Sequence, residues 1–240
     1  MMADDLAIVV AGHGSRDPAG RAEFEALVGL MANQASGISH AYLEFATPTV
    51  EDALRSAVQS GARRVVLLPA LLLAAAHAKN DMPGELALLK QEAPATAFFY
   101  AGVAELHPLL LRLCQRRMVE AEAAAGHTAA RGDTLLVVVG RGTSDPDANA
   151  EVYKLARMLE EGMGYGGAYV CYSGTAQPLV MDGLLRAARL GFKRLLVFPL
   201  FLFDGVLVKR IYAAADALAA RQPELEVLKA DYLRPCAELA

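Results

Sequence analysis

Residues 6–18 read LAIVVAGHGSRDP, and residues 134–146 read TLLVVVGRGTSDP. Each stretch is an apolar run that stops at Gly-x-Gly and passes through a short polar turn to Asp-Pro. The continuous apolar character is that of a strand buried on both faces. Asp17 and Asp145 suit helix N-caps, because a carboxylate accepts the unpaired amides of a first turn, and Pro18 and Pro146 suit the first helical position, where no amide donor is needed. The reading predicts a strand, a glycine turn and a helix in each case, with helices near 18–35 and 146–162.

Working outward, an offset of 128 places Gly12, Gly14, Asp17, Pro18, Glu23 and Leu27 over Gly140, Gly142, Asp145, Pro146, Glu151 and Leu155. After a two-residue adjustment, an offset of 130 places Tyr42, Pro48, Asp52, Leu54, Gly61, Arg64 and Pro69 over Tyr172, Pro178, Asp182, Leu184, Gly191, Arg194 and Pro199. An ordered series of this kind is the mark of a duplicated unit. ISHAYLEF and AYVCYSG follow as strands, then helices from near Pro48 and Pro178, then the strands RVVLLPALLL and RLLVFPLFLF. The first half continues with a polar turn near 78–84, a helix through LALLKQEA, a strand in TAFFYAG and a helix from about 107 to 125. AGHTAARGD reads as a hinge. The second half continues with a helix around 206–221, a strand in LEVLKA and a short C-terminal helix.

The expected fold class is therefore α/β: two duplicated domains, 1–125 and 133–240, each a parallel sheet flanked by helices, with an interdomain cleft. A chain of 240 residues, 55% hydrophobic, has ample core for both. A formal net charge of -4 and the absence of any long Lys/Arg run argue against nucleic-acid binding. MMADDL does not open like a secretory signal, and the most apolar runs are short of the roughly 18–20 residues that span a bilayer. Cys114, Cys171 and Cys236 lack the spacing of a disulfide scaffold or a structural zinc site and read as isolated thiols. A cytoplasmic protein without membrane contact is expected.

Loops after parallel strands gather at one edge of the sheet, so polar residues there can meet from distant parts of the chain. His13 sits between two glycines after the first strand, Glu44 follows the second, and His77 follows the third. Two imidazoles and a carboxylate suit Co²⁺, Fe²⁺, Ni²⁺ or Zn²⁺ without selecting among them. Each also has a plain structural reading: a turn histidine, a solvated carboxylate, a strand-end histidine. The second half carries Arg141, Gly174 and Leu207 at the corresponding places, so its metal chemistry should be absent. Arg141 can pair with a carboxylate but cannot easily replace a metal-binding imidazole. His40, His107 and His127 read as capping or loop residues. Tyr172 and Ser173 are candidates to line a substrate wall.

The AGHGSRDPAG opening, LEFATP, PALLLAAAHAKNDMP and the duplication resemble the sirohydrochlorin chelatases of the class II chelatase group, particularly the long-form CbiX cobaltochelatases. VVVGRGTSDPDANAEVYKLARML, YSGTAQP and PLFLFDGVLVKRI extend the resemblance over nearly all of the chain. It implies two chelatase-like domains and insertion of Co²⁺ or Fe²⁺ into sirohydrochlorin. It assigns His13 and His77 to metal handling and proton removal, and Glu44 to an acidic active-site position. No organic cofactor is implied, only Co²⁺ as the metal substrate, with Fe²⁺ or Ni²⁺ as the other choices. The carboxylate-rich substrate gives Arg16, Arg141, Lys209 and Arg210 a recognition role, beside the plain reading of basic residues facing solvent.

Cobalamin synthesis is the expected destination and siroheme synthesis the alternative. Both domains lie in one chain, so a monomer suffices. From a different class, the GHGS turn could serve a phosphate-transfer enzyme, although it lacks a complete phosphate-binding signature. A non-enzymatic tetrapyrrole or metal carrier is the third reading.

Overall fold

The computed structural model describes residues 5–75, 77–126 and 129–240, with the side chain of His77 also outside the description. Two four-stranded parallel sheets bear out the expected α/β class. By compactness the chain falls into two units, one running up to Glu105 and joined by Pro235–Ala240, the other Leu106–Arg234.

The first unit contains β1 (Leu6–Gly12), α1 (Pro18–Ala32), β2 (Ile38–Tyr42), α2 (Val50–Gln59), β3 (Arg64–Pro69), α3 (Met82–Glu92) and β4 (Ala97–Tyr100). Its strands are ordered β2-β1-β3-β4, with Val10 opposite His40 on one side and Leu68 on the other. Val9, Ala11, Val65 and Leu67 join Leu54, Met82, Leu86 and Leu89 in one core. Leu54 and Leu67 are fully buried, and each such side chain contributes about 1.5–3 kcal/mol by leaving water. Asp17 caps α1 by accepting from the Ala19 amide at 3.1 Å, and Pro18 stands in its first turn. Thr49 and Asp52 form a reciprocal capping box at the start of α2.

The second unit contains α4 (Pro108–Ala124), β5 (Thr134–Gly140), α5 (Pro146–Met163), β6 (Gly167–Tyr172), α6 (Val180–Ala187), β7 (Arg194–Pro199), α7 (Val206–Arg221) and β8 (Glu226–Lys229). The order β6-β5-β7-β8 repeats that of the first sheet. Buried Arg194 at the head of β7 donates to Glu226 at 2.8 Å and to the carbonyl of Ala129 at 3.3 Å, which offsets the cost of taking its charge out of water. Arg131 forks onto Glu122, which also accepts the Tyr165 hydroxyl at 3.0 Å. Burial first, and Glu122 second, push the Tyr165 hydroxyl pKa up, so that it remains a donor.

Apart from the domain limits, three expectations meet a different outcome. The limits 1–125 and 133–240 follow the sequence repeat, and compactness groups α4 with the second unit. There it packs on α5 and β8, burying Leu110, Leu113, Cys114 and Met118. Residues 78–84 are not a polar turn: a π-helical turn, His77–Asp81, runs straight into α3, whose Pro83 is tolerated in the first turn. The C-terminal segment beyond β8 forms bends and a turn rather than a helix. Arg234 there has φ of 58° and Pro235 lacks an amide, and both interrupt a helical path.

Finally, the strands after α2 and α6 stop at Pro69 and Pro199. Ala101 donates to the Leu67 carbonyl at 2.9 Å and Ala230 to that of Val197 at 2.9 Å. The next amides along these ladders would be those the prolines lack. Among the described residues no helix is long and apolar enough to cross a membrane.

Candidate metal and substrate site

In the first unit the chain leaves β1 for β2 on one side, then crosses to β3 on the other. The carboxyl ends of β1 and β3 therefore flank a topological switch point, where open parallel sheets characteristically bind ligands. His13 is the first residue after β1, and His77 begins the π-helical turn eight residues after β3. That turn is fastened to the sheet edge by the Tyr100 hydroxyl, which donates to the Ala78 carbonyl at 2.7 Å. The third element, the loop carrying Glu44, follows β2 on the opposite flank of β1.

His13 and Glu44 are brought together by backbone. The Leu43 amide donates to Gly12 O and the Glu44 amide to His13 O, each at 3.0 Å. Close packing dictates both glycines here. A Cβ on Gly12 would meet the Phe24 ring at 3.0 Å, and one on Gly14, whose φ is +87°, would lie 1.8 Å from the Glu44 carbonyl oxygen. His13 is half-buried and Glu44 exposed. The imidazole stacks on Phe45 with ring centroids 6.3 Å apart at 24°, and the Arg16 guanidinium lies 4.8 Å from the same ring centroid.

Of the expected site residues, His13 and Arg16 thus meet at the Phe45 ring, and Glu44 precedes it in the chain with its amide bonded to His13. The placement of the His77 side chain lies outside the described residues. Among the described residues no group of three His, Cys, Asp or Glu side chains is positioned to hold a metal. Arg141 is exposed at the end of β5 in the second unit. Lys209 and Arg210 are exposed near the start of α7, where Lys209 pairs with Asp204 at 3.7 Å.

The second unit has closed the carboxylate position. A Cβ on Gly174 would stand 2.8 Å from the Arg141 carbonyl oxygen, so no side chain fits where the first unit carries Glu44. Tyr172 is not a wall residue: it is 1% exposed, and its hydroxyl donates to the Asn149 carbonyl at 3.2 Å. Its counterpart Tyr42 donates to Glu25 at 2.6 Å beside a pocket of about 550 Å³, which Arg21, Phe45 and Thr47 also line. Burial raises the Tyr42 hydroxyl pKa, with Glu25 adding to the shift.

His107 caps α4, accepting from the Leu109 amide at 3.2 Å, as a capping residue should. His40 instead sets its ring edge-on to Phe24 and Tyr42 within an aromatic cluster. His127 lies outside the described residues.

The CbiX family model matches residues 7–121 and again 135–240. This chain belongs to the CbiX family. Among its relatives, the sirohydrochlorin cobaltochelatase of Priestia megaterium is 33% identical over 226 residues, 94% of this chain and 73% of that protein. A sirohydrochlorin ferrochelatase of the same organism is 29% identical over 178 residues, 74% of this chain and 65% of that protein. Among solved structures, SirB from Bacillus subtilis with Fe³⁺ superposes with a TM-score of 0.83 at 26% identity, covering 98% of this chain and 90% of that one. The two matched segments of the CbiX model coincide with the repeat read from the glycine turns.

Sequence reading passed over Phe45, whose ring lies against His13 and Arg16. The signal was present in the repeat, since Thr175 stands at the corresponding position and Ser144 stands where the first unit has Arg16.

Proposed function

We propose that this CbiX protein is a sirohydrochlorin chelatase that inserts a divalent metal, Co²⁺ first, into the tetrapyrrole on the way to cobalamin. The observation that carries the reading is the asymmetry at the strand ends. His13 and Glu44 are held together by the β1 and β2 loops, and the same loops of the second repeat carry Arg141 and a glycine with no room for a side chain. Fe²⁺ insertion for siroheme is the second reading, favoured by the iron-named relative. We also assign the protein to the cytoplasm, as a monomer acting without organic cofactor.

In this reading the hydrated metal exchanges waters for the imidazoles of His13 and His77, then passes to the four macrocycle nitrogens as two pyrrolic protons leave. Two borderline nitrogen donors hold such a metal without enclosing it, and transfer demands that weakness. Exposed Glu44 collects protons and passes them to solvent. Arg16, Arg141, Lys209 and Arg210 pair with the peripheral carboxylates.

The test is anaerobic incubation with sirohydrochlorin and Co²⁺, Fe²⁺ or Ni²⁺, following the tetrapyrrole absorption against nonenzymatic controls. Metallation well above the spontaneous rate is expected, fastest with Co²⁺, with a fall of roughly 10²-fold or more in His13→Ala and His77→Ala. Rates no greater than spontaneous with every metal would remove the activity. Binding without acceleration would make the protein a carrier, and unchanged rates in both variants would remove the assigned centre.

A further inference from the structure

We propose that Phe45 is a substrate-contacting residue, an aromatic ring beside His13 whose exposed part packs against the macrocycle. The proposal builds on the chelatase reading and adds what orients the ring over the metal-handling imidazole. Three observations lead to it.

The first is that Phe45 is out of place by ordinary packing rules. The residue is 48% exposed and its φ is +64°, a left-handed backbone region that disfavours a bulky non-glycine residue. Core packing does not compensate a half-exposed ring for that cost. Around it Leu43 and Glu44 are tied to the β1 loop and the Tyr42 backbone amide donates to the Pro48 carbonyl at 2.9 Å, which fixes the loop. Residues held in strained backbone cluster at active sites and ligand clamps.

The second is what surrounds the ring. His13 stacks on it at 6.3 Å and the Arg16 guanidinium sits 4.8 Å from its centroid. An aromatic surface, a guanidinium and an imidazole thus converge within one unit. They match three parts of a carboxylate-bearing tetrapyrrole: its π-face, its peripheral carboxylates and its central nitrogens.

The third is internal to the duplication. Where the second repeat replaces His13 and Glu44, it also replaces Phe45 with Thr175 and Arg16 with Ser144, and the positive φ is absent at Thr175. The scaffold residues shared by the repeats, among them Gly14 and Gly142 or Tyr42 and Tyr172, are kept. The aromatic ring therefore segregates with the chemistry and not with the fold.

The experiment compares Phe45→Ala, Phe45→Leu and Phe45→Trp in the full chain, each checked by circular dichroism and urea unfolding. The readouts are titration of metal-free sirohydrochlorin, the KM for sirohydrochlorin, the KM for Co²⁺ and kcat. For Phe45→Ala and Phe45→Leu we expect Kd and KM for sirohydrochlorin to rise about tenfold, with the KM for Co²⁺ unchanged within about twofold. Phe45→Trp should keep both near wild type. Leu and Trp keep the test alive if Ala does not fold.

Unchanged sirohydrochlorin KM in Phe45→Leu would overturn the proposal. So would a kcat loss at constant KM with a displaced pH profile, which would mean that the ring acts only by positioning His13. A wild-type chain that does not accelerate metallation would remove the chelatase reading itself. A wild-type chain that metallates beside an unaffected Phe45→Leu removes this proposal alone.

Discussion

The backbone amide of Glu44 donates to the carbonyl oxygen of His13 at 3.0 Å, one step beyond the bond from Leu43 to Gly12. The β1 and β2 loops therefore continue as a ladder past the ends of their strands. The imidazole and the carboxylate are not independent loop side chains; their spacing is set by the sheet. Whatever displaces one loop displaces the other.

Gly14 is where that ladder is most vulnerable. Gly14→Ala combines a left-handed backbone with a Cβ placed 1.8 Å from the Glu44 carbonyl oxygen. It should lower stability by about 2 kcal/mol or more and abolish metallation. Gly61→Ala is the control: its φ is +91°, but nothing lies within 4 Å of the added carbon, so about 1 kcal/mol is expected. Urea unfolding of the two variants side by side checks the difference. Equal midpoints would show that the Glu44 loop yields.

Arg141 stands where the other repeat has His13, and its guanidinium is exposed. If it pairs with a substrate carboxylate, Arg141→Ala should raise the KM for sirohydrochlorin roughly tenfold at nearly constant kcat, with Arg141→Lys in between. Steady-state kinetics with metal saturating decides this. Unchanged affinity and turnover in Arg141→Ala would end the carboxylate role.

Burial pushes the thiols of Cys114 and Cys171 up to about 12 from an ordinary value of 9.0. At pH 8 both should resist iodoacetamide in the native protein, while Cys236, only partly buried, labels first. All three should react in denaturant. Mass spectrometry of the labelled chain reads this directly. The same shifts carry a sign for stability. Between 9 and about 12 the unfolded thiols release protons that the folded ones keep, so the urea midpoint should fall as pH rises through that window.

The capping box of α2 predicts a smaller effect. Asp52 donates its amide to Thr49 Oγ1 at 3.1 Å and accepts the Thr49 amide at 3.2 Å. Thr49→Ala should cost about 1 kcal/mol in urea unfolding. The hydrogen bonds to Thr49 also hold the Asp52 carboxyl below its ordinary pKa. That contribution is present above the unfolded pKa and is lost as pH falls through the lower, folded one.

The strand–turn–helix repeat was legible because its signals are local. Continuous apolar runs, Asp-Pro at helix starts and Gly-x-Gly at strand ends each specify backbone within a few residues. Parallel pairing followed from these, and with it the gathering of the 13, 44 and 77 segments at one edge. The replacement of Glu44 by a glycine was equally legible. That Gly174 admits no side chain was not, since this depends on how closely the Arg141 carbonyl approaches.

By itself, then, the amino-acid sequence determined the duplicated α/β architecture and which repeat carries the imidazoles and the carboxylate. The tertiary structure alone decided that α4 belongs with the second compact unit and that the Phe45 ring lies against His13 under Arg16. The physical reason is the same in both cases. An apolar stripe tells a helix to bury a face but not which sheet will cover it, and the loop carrying Phe45 is fixed by backbone hydrogen bonds rather than by the Phe45 side chain.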